Sequence, residues 1–114
     1  MYNQINDFTE LLVWKKSSEL RLNIFKLCDN FPKEEKYRLA DQLIRSSRSI
    51  CANIAEGHGR FHYQENIQFC RISRASVSET IDHLICAKEC EYINELKYEE
   101  LRKNLVEIRK MLNG

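Results

Sequence analysis

The chain is poor in the residues that make turns. Its 114 residues include three glycines and one proline, so few reversals can be built and long helices are the expected solution. It has no apolar run long enough to cross a bilayer. Its opening, MYNQINDFTELL, lacks a basic stretch followed by an apolar one, so no secretory leader is expected. Five cysteines (28, 51, 70, 86 and 90) come in odd number and at uneven spacing, which excludes a complete disulfide framework. They read as reduced thiols, and the expected compartment is the cytoplasm. One-sided charge is missing too. Lys and Arg number 18 against 17 Asp and Glu, and a net charge of +1 gives no general reason to seek a polyanion.

Apolar residues make up 43% and charged residues 31%, a balance typical of a globular domain and too apolar for disorder. A chain of this length can bury roughly 65% of its unfolded surface, so residues 1–114 are expected to form a single domain.

Apolar positions recur at steps of three and four in four stretches. The first helix is expected over 7–30, with Val13, Ser17, Leu20, Ile24, Leu27 and Phe31 as its stripe. Asp7 or Thr9 can cap its start, and Pro32 stops it. The second is expected over 33–56, with Ala40, Leu43, Ser47, Ile50 and Ile54 inward, Glu34 and Glu35 in its first turn, and Gly57 as a left-handed cap. The third, over 63–92, carries an apolar stripe (Ile67, Cys70, Val77, Ile81, Leu84) and a second stripe of mostly small residues (Phe69, Ser73, Ser76, Thr80, Ala87, Cys90), so it should be covered on more than one side. The fourth, over 95–112, turns Leu101, Leu105, Ile108 and Leu112 inward, with Asn94 as cap. No period-two alternation appears. The fold class expected is all-α, an antiparallel up-down-up-down four-helix bundle.

The stretch QLIRSSRSICANIAEGHGR, Gln42 to Arg60, resembles the signature of the bacterial four-helix bundle proteins encoded in intervening sequences of 23S ribosomal RNA genes. Phe8, Leu12 and Trp14, the Phe31-Pro32 pair with Glu35 and Leu39, and Phe69 with RISRASVSE (Arg71 to Glu79) extend the likeness over nearly the whole chain. Its NIAEG core is specific, because generic helix rules do not select Asn and Glu just before a closing glycine. Arg48 departs from the pattern, standing where the family usually has an apolar residue. So does Cys51, in place of proline or another small residue. The resemblance implies a homo-oligomer, commonly a ring of five subunits, with no catalytic residues. A related branch, the accessory proteins of diversity-generating retroelements, binds nucleic acid through basic surfaces.

From Arg38 to Arg74 the chain has six arginines and no lysine, against Asp41, Glu56 and Glu65; from Glu79 to Glu100 it has seven acids against Lys88 and Lys97. Arginine forks suit phosphate, and they equally suit carboxylates of that acidic stretch or of a neighbouring subunit. The candidates for nucleic-acid binding, to RNA or DNA, are Arg45, Arg48, Arg60, Arg71 and Arg74, with only Phe61 and Tyr63 as nearby aromatics. Asn53, Glu56, Gly57 and Glu79 are expected to be structural or interfacial: Glu56 paired with Arg60, Arg45 or Arg71, Asn53 on open backbone groups at the helix end, and Glu79 with an arginine.

Catalysis has little to stand on. The serines lack a nucleophile elbow, and GHGR leaves a helix instead of entering one, unlike a phosphate loop. His83, Cys86 and Cys90 share a helix face without a fourth metal ligand. No enzyme activity, cofactor, metal, membrane or small-molecule substrate is expected. The sequence favours a non-enzymatic oligomeric module that binds nucleic acid, and the alternative is a protein-interaction scaffold with no such role.

Overall fold

In the computed structural model, which describes residues 7–60 and 62–113, the chain opens on a 3-10 turn. Asp7 accepts hydrogen bonds from the Thr9 amide at 2.9 Å and from the Thr9 hydroxyl, closing Phe8–Glu10 tightly. Leu11 then leaves in an extended conformation, so helix α1 spans Leu12–Cys28 and not 7–30.

The second helix needs the larger correction. Lys33–Glu35 forms another 3-10 turn, and α2 spans Leu39–His58. Glu35 is the reason. One carboxylate oxygen accepts the Leu39 amide at 3.3 Å, and the other accepts the Tyr92 hydroxyl at 2.8 Å. The side chain thus holds the start of α2 from one turn upstream and ties it to a distant loop.

Gly57 is not a left-handed cap. It lies buried inside α2, whose closing residue is Gly59 at φ −77°; no glycine among the described residues has a positive φ. Helix α3 spans Tyr63–Glu89, shorter than the expected 63–92. It closes in a Schellman motif: the Glu91 amide donates to the Lys88 carbonyl and the Tyr92 amide to the Ala87 carbonyl, each at 2.9 Å. The left-handed position there, at φ 63°, is taken by Glu91. Helix α4 spans Glu95–Asn113, and Asn94 caps it as expected, accepting the Lys97 amide at 2.8 Å. No strand occurs among the described residues.

Each helix turns its stripe inward. Leu20 and Ile24 of α1, Leu43 and Ile50 of α2, Val77 and Leu84 of α3, and Leu101, Leu105 and Ile108 of α4 are all essentially inaccessible. Burying a side chain of this size contributes about 1.5–3 kcal/mol. The helices neighbour one another in the cyclic order α1–α2–α3–α4. Cross-contacts run in opposite chain directions: Cys28 meets Ala40 where Phe25 meets Arg48, and Lys88 meets Glu95 where Arg74 meets Leu112. The result is an antiparallel rod, 52 × 24 × 20 Å.

The seam between α2 and α3 is polar and narrow, as the small-residue stripe implies. Thr80 Oγ1 lies 2.8 Å from Ser46 Oγ and 2.8 Å from the Ser76 carbonyl. The Ser76 hydroxyl donates to Ser49 Oγ at 2.9 Å, and the Ser73 hydroxyl to the Ile50 carbonyl at 3.0 Å. Buried hydroxyls placed in this way satisfy one another and let the two backbones approach closely.

Candidate nucleic-acid interface

The five candidate arginines fall into two groups. Arg45 and Arg48 lie one turn apart on the outer face of α2, both exposed, and Arg60 stands just beyond the end of the same helix. Between them the stripe holds only small residues and one acid: Ala52, Ala55, Glu56 and Gly59 floor an open depression against Arg60. Such a surface admits close approach of a partner, with Arg60 and its ion-paired Glu56 at the depression itself and Arg45 and Arg48 further along the same helix. Arg45 Nη1 stays 3.8 Å from Asp41, a loose pair on a highly exposed side chain. The Arg48 guanidinium has a ring for a partner, 6.0 Å from the centroid of Phe25.

Arg71 and Arg74 belong elsewhere. They rim a cleft of about 450 Å³ at the end of the rod, with Leu11, Val13, Ile54 and Ile67 beneath them. Arg74 is half-buried and donates to the Leu112 carbonyl at 3.2 Å, capping the last turn of α4. Arg71 is exposed.

Glu56 pairs with Arg60 at 3.1 Å, one of the three partners expected, and the guanidinium also lies 4.9 Å over the ring of Phe69. Asn53 does not serve the helix end. Its amide donates to the Ser49 carbonyl at 2.8 Å and to Ser49 Oγ at 3.0 Å, which extends the seam network along α2. Glu79 pairs with His83 at 3.1 Å in place of an arginine, because the imidazole stands one turn further along the same face. Among the described residues, no candidate arginine takes a carboxylate from the acidic stretch. Glu95 goes to Lys88 and Glu100 to Lys97.

Reactive groups are muted. Burial pushes the Cys28 and Cys51 thiols up to about 11, away from the thiolate form at neutral pH. The seam serines are hydrogen-bonded within the seam. Among the described residues, no three His, Cys, Asp or Glu side chains converge as metal ligands would, and no helix is long and apolar enough to cross a membrane.

Sequence reasoning missed the aromatic partners. Of the two rings it placed near the arginines, Phe61 lies outside the described residues and Tyr63 is an exposed lining of the end cleft. The rings that meet arginines are Phe25 and Phe69. Phe25 sits beside Ile24 on the edge of the α1 stripe, and only the packing of α1 against α2 brings it under Arg48.

The fold and its surface define a small helical bundle with an arginine-bearing face. Residues 9–114 match the family described as 23S rRNA-intervening sequence protein, and the chain belongs to that family. A similar solved structure is described as a protein with unknown function from the S23 ribosomal protein family of Bacteroides thetaiotaomicron VPI-5482. It is 30% identical, with a TM-score of 0.82, over 89% of this chain and 94% of that one. None of the curated proteins matches.

Proposed function

We propose that the chain is a non-enzymatic docking module that holds RNA on the outer face of α2. The carrying observation is the line of exposed Arg45, Arg48 and Arg60 along one face of α2 beside the small residues Ala52, Ala55 and Gly59. Arg45 and Arg60 pair only with Asp41 and Glu56 of the same segment, and among the described residues none of the three pairs with the acidic stretch Glu79–Glu100. Exposed guanidinium groups beside small residues fit a phosphate backbone, which positions a polyanion with little sequence preference. Assembly of the chain into a homo-oligomeric ring, commonly of five subunits in the family it resembles, repeats that face and converts weak contacts into a multivalent site. Exposed Arg71, at the rod's end, extends the basic surface along α3, whereas Arg74 is engaged by the Leu112 carbonyl and serves the fold. The module acts in the cytoplasm, with no cofactor.

A filter-binding titration against structured RNA at two salt concentrations tests this. Tight binding that falls steeply with salt is the expected result; no binding at low salt removes the reading. The rival, a protein scaffold with no nucleic-acid role, draws support from exposed apolar side chains such as Leu12, Leu22, Ile72 and Leu96. It predicts that absence.

A further inference from the structure

We propose that the nucleic acid is taken as a single strand, with one base seated in a cleft between the end of α1 and the start of α2; this rests on the RNA reading of the α2 face and names the form of its ligand. The cleft exists because Pro32 and the 3-10 turn after it delay α2 until Leu39, leaving a corner between the two helices. It measures about 290 Å³, near the lower end of small-ligand sites (~300–1,000 Å³). Phe25, Phe31 and Ile44 make its walls, and Lys33 and Lys36 stand on its rim.

Two features favour a nucleotide over other occupants. The first is charge. Neither Lys33 nor Lys36 has a carboxylate partner among the described residues, and Arg48 covers the ring of Phe25 without one. Two lining cations, Lys33 and Lys36, with Arg48 beside them over Phe25, face one lining acid, Asp29; Glu35 is turned away to Tyr92 and Leu39. The second is the open aromatic surface. Phe25 is 45% exposed and Tyr37, whose ring lies 5.4 Å from Lys36 Nζ, is 82% exposed. Rings held beside cations are the platform on which unpaired bases stack while phosphates track the charges. A duplex keeps its bases stacked inside and offers such a platform nothing. The cleft adjoins the arginine stripe through Arg48, so one strand can run from Lys33 and Lys36 over Phe25 and along α2.

The test is fluorescence anisotropy on the full chain, with a short labelled oligouridylate and an RNA duplex of equal length. The expected result is tighter binding of the single strand. Phe25→Ala should weaken it by roughly 5- to 150-fold, the worth of one stacked base, without changing the salt slope. Phe25→Leu keeps apolar volume, removes the ring face, and should show most of the same loss if Phe25→Ala folds poorly. Equal binding of duplex and single strand, or unchanged affinity in both Phe25 variants and in Tyr37→Ala, overturns the proposal. If Arg45→Ala and Arg48→Ala still lose affinity in that case, the α2 reading stands alone. If neither RNA binds at low salt, both readings fall.

Discussion

Gly57 of α2 faces Phe69 of α3 so closely that a methyl group on the glycine would stand 2.9 Å from the Phe69 Cβ, and 2.6 Å from the Asn66 side-chain oxygen. The asparagine can swing away. The Phe69 Cβ is fixed to its backbone and cannot. Helix propensity alone makes Gly57→Ala stabilising by about 1 kcal/mol. Overpacking a close helix contact costs about 1–3 kcal/mol and outweighs that gain. Gly57→Ala is therefore expected to lower the urea midpoint. A raised midpoint would show that the helices separate freely at this point.

The left-handed position belongs to a residue that is not glycine. Glu91 sits at φ 63° in the turn closing α3, where a side chain costs roughly 1–2 kcal/mol. It is exposed and makes no ion pair among the described residues. Glu91→Gly should therefore stabilise the protein, by about 1 kcal/mol after the extra freedom of the unfolded glycine is deducted. A two-state thermal melt will show the sign.

Across the seam, Thr80→Val keeps shape and removes the hydroxyl that meets Ser46 and the Ser76 carbonyl. Thr80 is fully inaccessible, so its partner Ser46 loses a contact that water cannot replace. Ser46 keeps its own hydrogen bond to the Leu43 carbonyl at 3.3 Å, so the expected loss is that of one hydrogen bond, about 0.5–1.5 kcal/mol. Ser78→Ala, on the exposed face of the same helix, should change stability by less than about 0.5 kcal/mol. Equal effects from the two would mean that the seam is hydrated.

These residues show which parts of the fold the sequence carries openly. The stripes of α2 and α4 are buried as their spacing implies, because amphipathic periodicity is a local property. Ser73, Ser76, Thr80 and Ala87 of α3 do mark a second packed face, but Cys90, expected to continue that stripe, is exposed because the helix has ended at Glu89. The limits of the helices were harder to see. Glu35 looks like a first-turn acid, and its role as the stop before α2 depends on Leu39 and on Tyr92, far along the chain. Gly57 looks like a cap because glycine at a helix end usually is one; its contact with Phe69 is tertiary. The arginine surface was legible as composition only. That Arg48 meets Phe25, that Arg74 is engaged by Leu112, and that Lys33 and Lys36 rim a cleft all follow from how helices α1 to α4 lie against one another.

Alkaline pH should loosen the bundle in a defined window. The hydrogen bond to Glu35, aided by desolvation, raises the Tyr92 phenol to about 12 from 10.0; burial raises Cys28 and Cys51 to about 11 from 9.0. In each case the fold favours the protonated form. The unfolded chain loses these protons first, so the stabilisation is complete below about pH 9 and is lost as pH rises through 11 to 12. Urea midpoints should stay level from neutrality to the onset of thiol ionisation and fall beyond it. Tyr92→Phe should start lower and fall less. Stability that rises above pH 9 would contradict this account.

Arg48 and Arg74 separate binding from folding. Arg48 is exposed, and its ring contact at 6.0 Å is worth about 0.5–1 kcal/mol at most. Arg74 is half-buried and satisfies a carbonyl at the end of α4, so Arg74→Ala should cost about 0.5–1.5 kcal/mol of stability. If Arg48 touches phosphate, Arg48→Ala weakens RNA binding across sequences and lowers the magnitude of the salt slope by about one. Its melting temperature should stay close to that of the parent. Arg74→Ala should do the reverse, lowering the melting temperature while leaving the salt slope nearly unchanged, because its guanidinium is already engaged. Measured together, slope and melting temperature give each arginine its own signature. Loss of stability without loss of slope in Arg48→Ala would place that residue among the structural ones and move the RNA face away from the middle of α2.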